Sequence, residues 1–333
     1  MRAANPLAEL AAVGVLFLLG FAAAEVDAQQ RFDIAVIDDG PNDRIASERQ
    51  VYVDELLALT ENEFEVTIRR FPGSWSRESI DAAFEAAYAD AEIDLVLITG
   101  FIASQLGTQR REFPKPTFLP LILDPGLLPQ PPVEGRSGIR NLSYLIVYEA
   151  FGEDLDAISE LLDVDTIALM IDGGLSESIP ALRVSANAVV EERGLTLIEI
   201  RHDGEDHALM DRVPEGVDVV FVSGLPRMPE PAFLELVEAI NERGLASYSF
   251  VGTRDVEAGL LMTSSESRDI GRQPRFNAFK MQAVMLGERA EDQSVFATGR
   301  KQYTINMETA RRLGISPSFN ILSVATLLNE QPV

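Results

Sequence analysis

The histidines of this chain, His202 and His207, stand close together in the segment RHDGEDH, residues 201–207. With Asp203, Glu205 and Asp206 they supply nitrogen and carboxylate donors of the kind that hold zinc or another divalent ion. The segment lies between an expected strand and an expected helix and reads as a solvated acidic loop, with no metal bound. A zinc site also needs ordered partners behind its ligands. No other catalytic signature is present. Cysteine is absent, and so are a G-x-S-x-G elbow, a P-loop and a G-x-G-x-x-G turn. No catalytic residue, metal or cofactor is assigned. A metal-dependent hydrolase at the histidine loop stays open as a second alternative.

The residues with more to offer chemically are those just after apolar runs, and their chemistry is recognition. Asp38, Asp39 and Gly40 follow DIAVI, Thr99, Gly100 and Phe101 follow DLVLI, and Asp124 precedes an expected crossing of the chain. Further on stand Gly173, Gly174 and Ser176, then Ser223 and Gly224, then Arg254 and Glu257. Asp and Gly also serve ordinary turns. As a set, the acidic groups suit a ligand cation. First-turn helix amides near Ser176 suit a ligand carboxylate. An amino-acid-like zwitterion satisfies both. Trp75, the sole tryptophan, falls in a loop on the same edge, where it can stack on a ligand or, as expected here, pack against its own lobe.

The elements that must position these residues repeat. IDLVLITG at 93–100 is echoed by VDVVFVSG at 217–224, and DIAVID at 33–38 by TIALMID at 166–172. Short aliphatic runs bounded by turns read as buried strands. Helices are expected over 46–61, from the Ser76 cap onward, over 177–193 closed by Gly194, near 207–214, over 229–243 closed by Gly244, and around 269–288. Further strands are expected at 65–71, 195–202, 247–252, 257–265 and 302–306. Alternating strands and helices imply an α/β fold with parallel sheets covered on both faces. Ligands in such sheets bind beyond the carboxyl ends of the strands. The expected fold is two similar Rossmann-like lobes joined by a multi-crossing hinge. One lobe would take 32–124 plus about 250–290, and the other about 141–246 plus 300–333. Crossings are expected near 124–147, 245–255 and 289–302. The Pro-rich stretch 113–132 suits an inter-lobe edge better than a helix. The repeated turns at 99–101 and 223–225 are expected to face each other.

The 333 residues, 46% hydrophobic, suffice for two cores. Residues 1–28 read as a secretory signal peptide: Arg2, an apolar run over 11–24, and small residues at VDA ending on Ala28. The run is short for a bilayer span. With no cysteine, lipid attachment and disulfides are both excluded. An exported, periplasmic protein with no membrane insertion after cleavage is expected. The net charge of −25 loses Arg2, Glu9, Glu25 and Asp27 on cleavage, so that −25 − (+1 − 3) leaves −23. Such a surface repels nucleic-acid phosphates and anionic lipids.

The last third resembles a known family. VEAGLLMTSSESRDIGRQ, then AVMLGE, then QYTINMETARRLGISPSFNIL carry Ala258-Gly259, Ile305-Asn306 and Thr309-Ala310-Arg311-Arg312-Leu313-Gly314. DPGLLPQPPVEGRSGIRNLSYL adds an Asp-Pro segment with a later Gly and Asn. These are similar to ABC-transporter substrate-binding proteins of the type 1 periplasmic binding protein fold, related to tryptophan importers. The resemblance runs in register over most of residues 32–328. It implies a bilobal protein that closes on a small-molecule ligand and presents it to a membrane ABC transporter permease. The ending SPSFNILSVATLLNE is longer than the family's, a variant associated with outer-membrane efflux channels. A ligand-sensing or accessory protein of an efflux assembly is therefore the alternative.

Overall fold

The computed structural model describes residues 29–41, 43–122, 124–128, 130–146, 151–264, 273–296 and 303–329. The proposed signal peptide lies outside them.

The first sheet is built from β1 (Gln30–Asp38), β2 (Phe64–Pro72), β3 (Leu95–Ile98), β4 (Thr117–Ile122) and β5 (Leu142–Ile146), in the order β2-β1-β3-β4-β5. Between them run α1 (Ala46–Thr60), α2 (Arg77–Ala89) and α3 (Phe101–Thr108). All four strand pairs are parallel. β3 and β4 are buried at every position, because helices cover both faces of the sheet. α2 starts where Ser76 accepts a hydrogen bond from the Ser79 amide, which satisfies a first-turn donor.

The second unit opens with α4 (Phe151–Ser159) and β6 (Thr166–Asp172), followed by α5 (Gly173–Ser178), α6 (Pro180–Glu192), β7 (Thr196–His202) and β8 (Val219–Val222). Then come α7 (Glu230–Glu242), β9 (Ala246–Ser249), α8 (Thr253–Glu257) and β10 (Met262–Thr263). Its sheet, read from one edge, runs β7-β6-β8-β9-β10, the same winding as the first. DIAVID and TIALMID are thus the first strands of two matched sheets, and LVLI and VVFV the third. Phe233, Leu236, Val237 and Ile240 of α7 are all buried. Gly194 and Gly244, both with φ of +71°, end α6 and α7 in a left-handed turn that a side chain would strain.

α9 (Gln273–Met285) returns to the first lobe, where Ala278, Met281 and Met285 join Phe32, Val36 and Leu56 in one core. Residues 290–296 then run along β5, with Ile146 donating its amide to Val295 at 3.0 Å. β11 (Tyr303–Asn306), α10 (Met307–Arg312), α11 (Phe319–Leu322) and β12 (Ala325–Leu328) complete the second sheet beyond β10.

Several expectations are corrected. Residues 142–146 belong to the first sheet and 246–263 to the second, so the chain does not cross near 245–255. It passes between the lobes after Ile146, after Ser264 and after Phe296. The Pro-rich stretch contains a central strand, β4. Pro120 is tolerated there because β3 pairs only with Thr117 and Phe118 and the β4–β5 register shifts between Leu119 and Ile122. The helix expected over 177–193 is broken at Ile179, where Pro180 begins α6. The helix near 207–214 is only a 3-10 turn at Leu209–Arg212. The strand expected at 257–265 shrinks to Met262–Thr263, since α8 runs to Glu257 and the chain turns at Gly259, with φ of +123°, before it can pair. β10 and β11 pair antiparallel, so the second sheet is mixed.

Candidate functional site

The carboxyl edges of the two sheets meet crosswise. The loop after β1 reaches the turn after β8: Arg44 donates its amide to the Pro226 carbonyl at 2.7 Å and its guanidinium to the Gly224 carbonyl at 3.0 Å. A Cβ on Gly224 would stand 3.3 Å from Ile45 Cδ1. The turn after β3 reaches α5, after β6: a Cβ on Gly174 would stand 3.6 Å from Ile102 Cδ1. Leu175, Ile179 and Leu182 pack into the first lobe's core beside Ile102 and Leu106. The turns at 99–101 and 223–225 therefore do not face each other. Each faces the first-strand loop of the opposite lobe.

On the first-lobe edge a cavity of about 380 Å³ opens between β1, β2 and α1. Asp38, Gly40 and Thr99, all singled out from the sequence, line it together with Arg49, Gln50 and Arg70. Burial raises the Asp38 pKa, and Arg49 and Arg70 oppose the rise. Arg70 Nη1 lies 3.7 Å from Asp38 Oδ2. Arg49 is buried between Asp39, 3.6 Å away, and Asp43, with its Nη1 lacking a hydrogen bond among the described residues. Burial lowers its pKa, and Asp39 and Asp38 oppose the fall. A half-buried carboxylate beside two guanidinium groups offers both signs of charge to a small polar molecule.

Asp39 points elsewhere. It is 1% exposed and accepts from the amides of Ile102 (3.2 Å) and Ala103 (2.8 Å) at the start of α3. Gly100 exists to admit it, since a Cβ there would stand 2.1 Å from Asp39 Oδ1. Phe101 is half-buried, packed against the α1 and α9 side of the sheet. Trp75 donates its indole N–H to the Pro41 carbonyl at 2.9 Å and covers Gly40, as expected for packing within its own lobe. Asp124 caps a 3-10 turn by accepting the Gly126 amide at 2.8 Å.

In the second lobe Asp172 plays the part of Asp39. It accepts the Gly174 amide at 2.8 Å and is gripped by Arg227 at 2.8 and 3.0 Å. The first-turn amide at Gly174 is thereby taken, and Ser176 donates to Glu199 at 2.7 Å. Gly173 lies against Asp203, and Ser223 keeps a buried hydroxyl with no hydrogen-bond partner among the described residues. Arg254 crosses the lobes to Glu48 at 2.5 Å and also holds Glu230 at 2.8 Å. Glu257 is exposed at the end of α8.

The histidine loop differs from expectation. His202 is fully buried and its Nε2 lies 2.9 Å from His207 Nδ1, the rings stacked at 5.1 Å. Burial pushes the His202 pKa down to about 4; Asp172 opposes the fall, and His207 and Arg227 add to it. Among the described residues no group of three His, Cys, Asp or Glu side chains is placed to hold a metal, and no helix is long and apolar enough to cross a membrane.

Arg44, Arg49, Gln50, Arg70 and Asp255 were not singled out from the sequence. The signal that existed was an Arg ending the DGPNDR turn and an Asp beside Arg254.

No protein-family model matches the chain, and no curated protein matches it. Solved structures do. One is an ABC domain in complex with L-Trp from Streptococcus pneumonia, with a TM-score of 0.64 at 19% identity over 90% of this chain and 99% of that one. A conserved domain protein from Vibrio cholerae gives 0.61 at 17%, over 90% and 99%. A substrate binding protein with adhesive properties from Clostridium difficile gives 0.54 at 14%, over 91% and 100%. The fold defines the class: two α/β lobes on matched sheets. This chain has the type 1 periplasmic binding protein fold.

Proposed function

We propose that this chain is a periplasmic solute-binding protein. It captures a small polar organic ligand, amino-acid-like in charge, in the interlobe cleft, and presents it to a membrane ABC transporter. The observation that carries the reading is the crosswise meeting of the two sheets' carboxyl edges, the place where open α/β sheets bind ligands. Asp38, with Arg49 and Arg70 beside it, supplies the charged wall of the cavity on the first-lobe side of that edge. The L-Trp bound by the pneumococcal structure is a ligand of the proposed class. Ligand contacts made to both lobes would add to their apposition, and no covalent step is needed. Residues 1–28 act as the leader, and N-terminal sequencing of the exported protein should begin at Gln29.

The long ending favours a second reading. β12 extends the second sheet beyond β11, and Phe319 on α11 is 83% exposed. Such an addition suits an accessory protein of an efflux assembly that uses the same cleft. A thermal-shift panel of the common L-amino acids tests ligand binding, because a ligand of the native state stabilises by RT ln(1 + [L]/Kd). A rise in melting temperature with one or a few of them is expected, and no rise with any would count against the amino-acid-like ligand. Co-purification from membranes with a permease supports uptake, and with an outer-membrane channel the second reading.

A further inference from the structure

The guanidinium of Arg44 belongs to the first lobe, yet every polar partner it has among the described residues is in the second. Nη1 lies 3.2 Å from Asp255 Oδ1 and 3.6 Å from Glu230 Oε2. Nη2 donates to the Gly224 carbonyl at 3.0 Å. The guanidinium carbon sits 3.8 Å from the centroid of the Phe233 ring. The Arg44 side chain is 1% exposed and that of Asp255 0%. Asp255 is itself fixed: its other oxygen accepts from Ser249 Oγ at 2.8 Å. Arg254 returns the reach, donating to the Arg44 carbonyl at 3.2 Å.

These partners match one chemistry. A planar fork of N–H donors meets a carboxylate and a carbonyl, while its face lies on an aromatic ring. An ammonium can use the first two features but not the planar stack. We propose that the second lobe carries a guanidinium socket, built from Asp255, Gly224, Glu230 and Phe233, that Arg44 fills from the first lobe as an interlobe latch. The latch goes beyond the solute-binding reading and does not depend on it, since a chain with no transport role would be latched in the same way.

Removing the Arg44 side chain leaves Asp255 buried without its cation, and the edge must admit water or a substitute. The equilibrium between apposed and parted lobes then shifts by the lost contact. A free guanidinium compound, occupying the same socket, restores it.

The absence of cysteine makes labelling clean. Glu61→Cys and Glu238→Cys place spin labels at exposed positions of the first and second lobes. Double electron–electron resonance on the refolded, ligand-free pair with Arg44 intact should give one narrow interlobe distance. Adding Arg44→Ala should give a broader, longer distribution. Methylguanidinium chloride at tens of millimolar should bring the narrow distance back, and sodium chloride at equal ionic strength should not. Wild-type distances in Arg44→Ala would overturn the latch. Expansion that methylguanidinium reverses no better than sodium chloride would overturn the socket. Near-UV circular dichroism reports folding. Should Arg44→Ala not fold, the isosteric Asp255→Asn takes its place: expansion supports the latch, and unchanged distances overturn it.

Discussion

Gly174 and Trp75 belong to different lobes, yet a Cβ on Gly174 would stand 2.6 Å from the Trp75 carbonyl oxygen. That oxygen cannot give way easily. The Trp75 amide is bonded to the Asp39 carbonyl at 2.7 Å and its indole to Pro41 at 2.9 Å. Gly174→Ala should therefore push the two edges apart, at a cost of about 1–3 kcal/mol to their apposition. Small-angle scattering should show a larger radius of gyration with unchanged circular dichroism. An unchanged radius would mean that the lobes do not meet at this point.

Adjacent carboxylates, Asp38 and Asp39, should separate cleanly on mutation. Asp39 is buried on α3 amides and beside Arg49. Asp39→Ala should destabilise the fold by about 3–5 kcal/mol, because it leaves two buried α3 amides unpaired and removes one of the two carboxylates beside buried Arg49. Urea melts measure this. Asp38 stands in the cavity wall with Arg70 at 3.7 Å. Asp38→Ala should leave the melt nearly unchanged and weaken ligand binding by about 1.5–3 kcal/mol, or roughly 10- to 150-fold.

That contrast marks the limit of what the sequence made legible. Period and punctuation identify strands well: DIAVID and TIALMID are first strands, LVLI and VVFV third strands, because buried parallel strands must be short and aliphatic. The same signals place Asp38 and Asp39 at a strand end but not on different faces of the turn. Which carboxylate faces a cavity and which caps α3 depends on the backbone path after β1. Arg44 was invisible for a related reason. Its partners Gly224, Glu230, Phe233 and Asp255 come together only when the lobes dock, and no local pattern encodes docking. The sheet membership of 246–263 failed similarly, since α8 and β10 are too short to show periodicity.

The His202–His207 pair predicts a pH effect and no metal effect. With its folded pKa near 4 against an ordinary 6.5, buried His202 stays neutral where the unfolded chain binds a proton. Stability should fall as pH drops from about 6.5 towards 4, by at most about 3 kcal/mol from this group. His202→Gln should flatten that limb of the pH–stability curve. Chelators should leave the melting temperature unchanged. A fall of several degrees, reversed by one divalent ion, would restore the hydrolase reading.

Lys280, on α9, is 3% exposed and donates to the Tyr144 carbonyl at 2.9 Å. Burial pushes its pKa down to about 7. Below that value the folded protein carries a buried charge, a penalty that disappears as pH rises from about 7 to the ordinary 10.5. Lys280→Met should raise stability most at pH 6, by about 2–4 kcal/mol, with the advantage over wild type shrinking towards pH 10. Paired urea melts across that range check it. An advantage independent of pH would show that the lysine holds its proton in the fold as firmly as in the unfolded chain, so that burial does not depress its pKa.

The central claim is that the interlobe edge binds a small organic solute. Its most direct test is native mass spectrometry of protein released from its cells by osmotic shock, purified without unfolding. The wild type should carry a noncovalent adduct of small-molecule mass. Asp38→Ala should lose it through the cavity wall, and Gly224→Val through the opposite lobe, where the new side chain would press on Ile45 at 3.3 Å. A bare wild-type mass, together with no change in melting temperature across the common L-amino acids, would contradict the account. So would an adduct that survives unchanged in both variants.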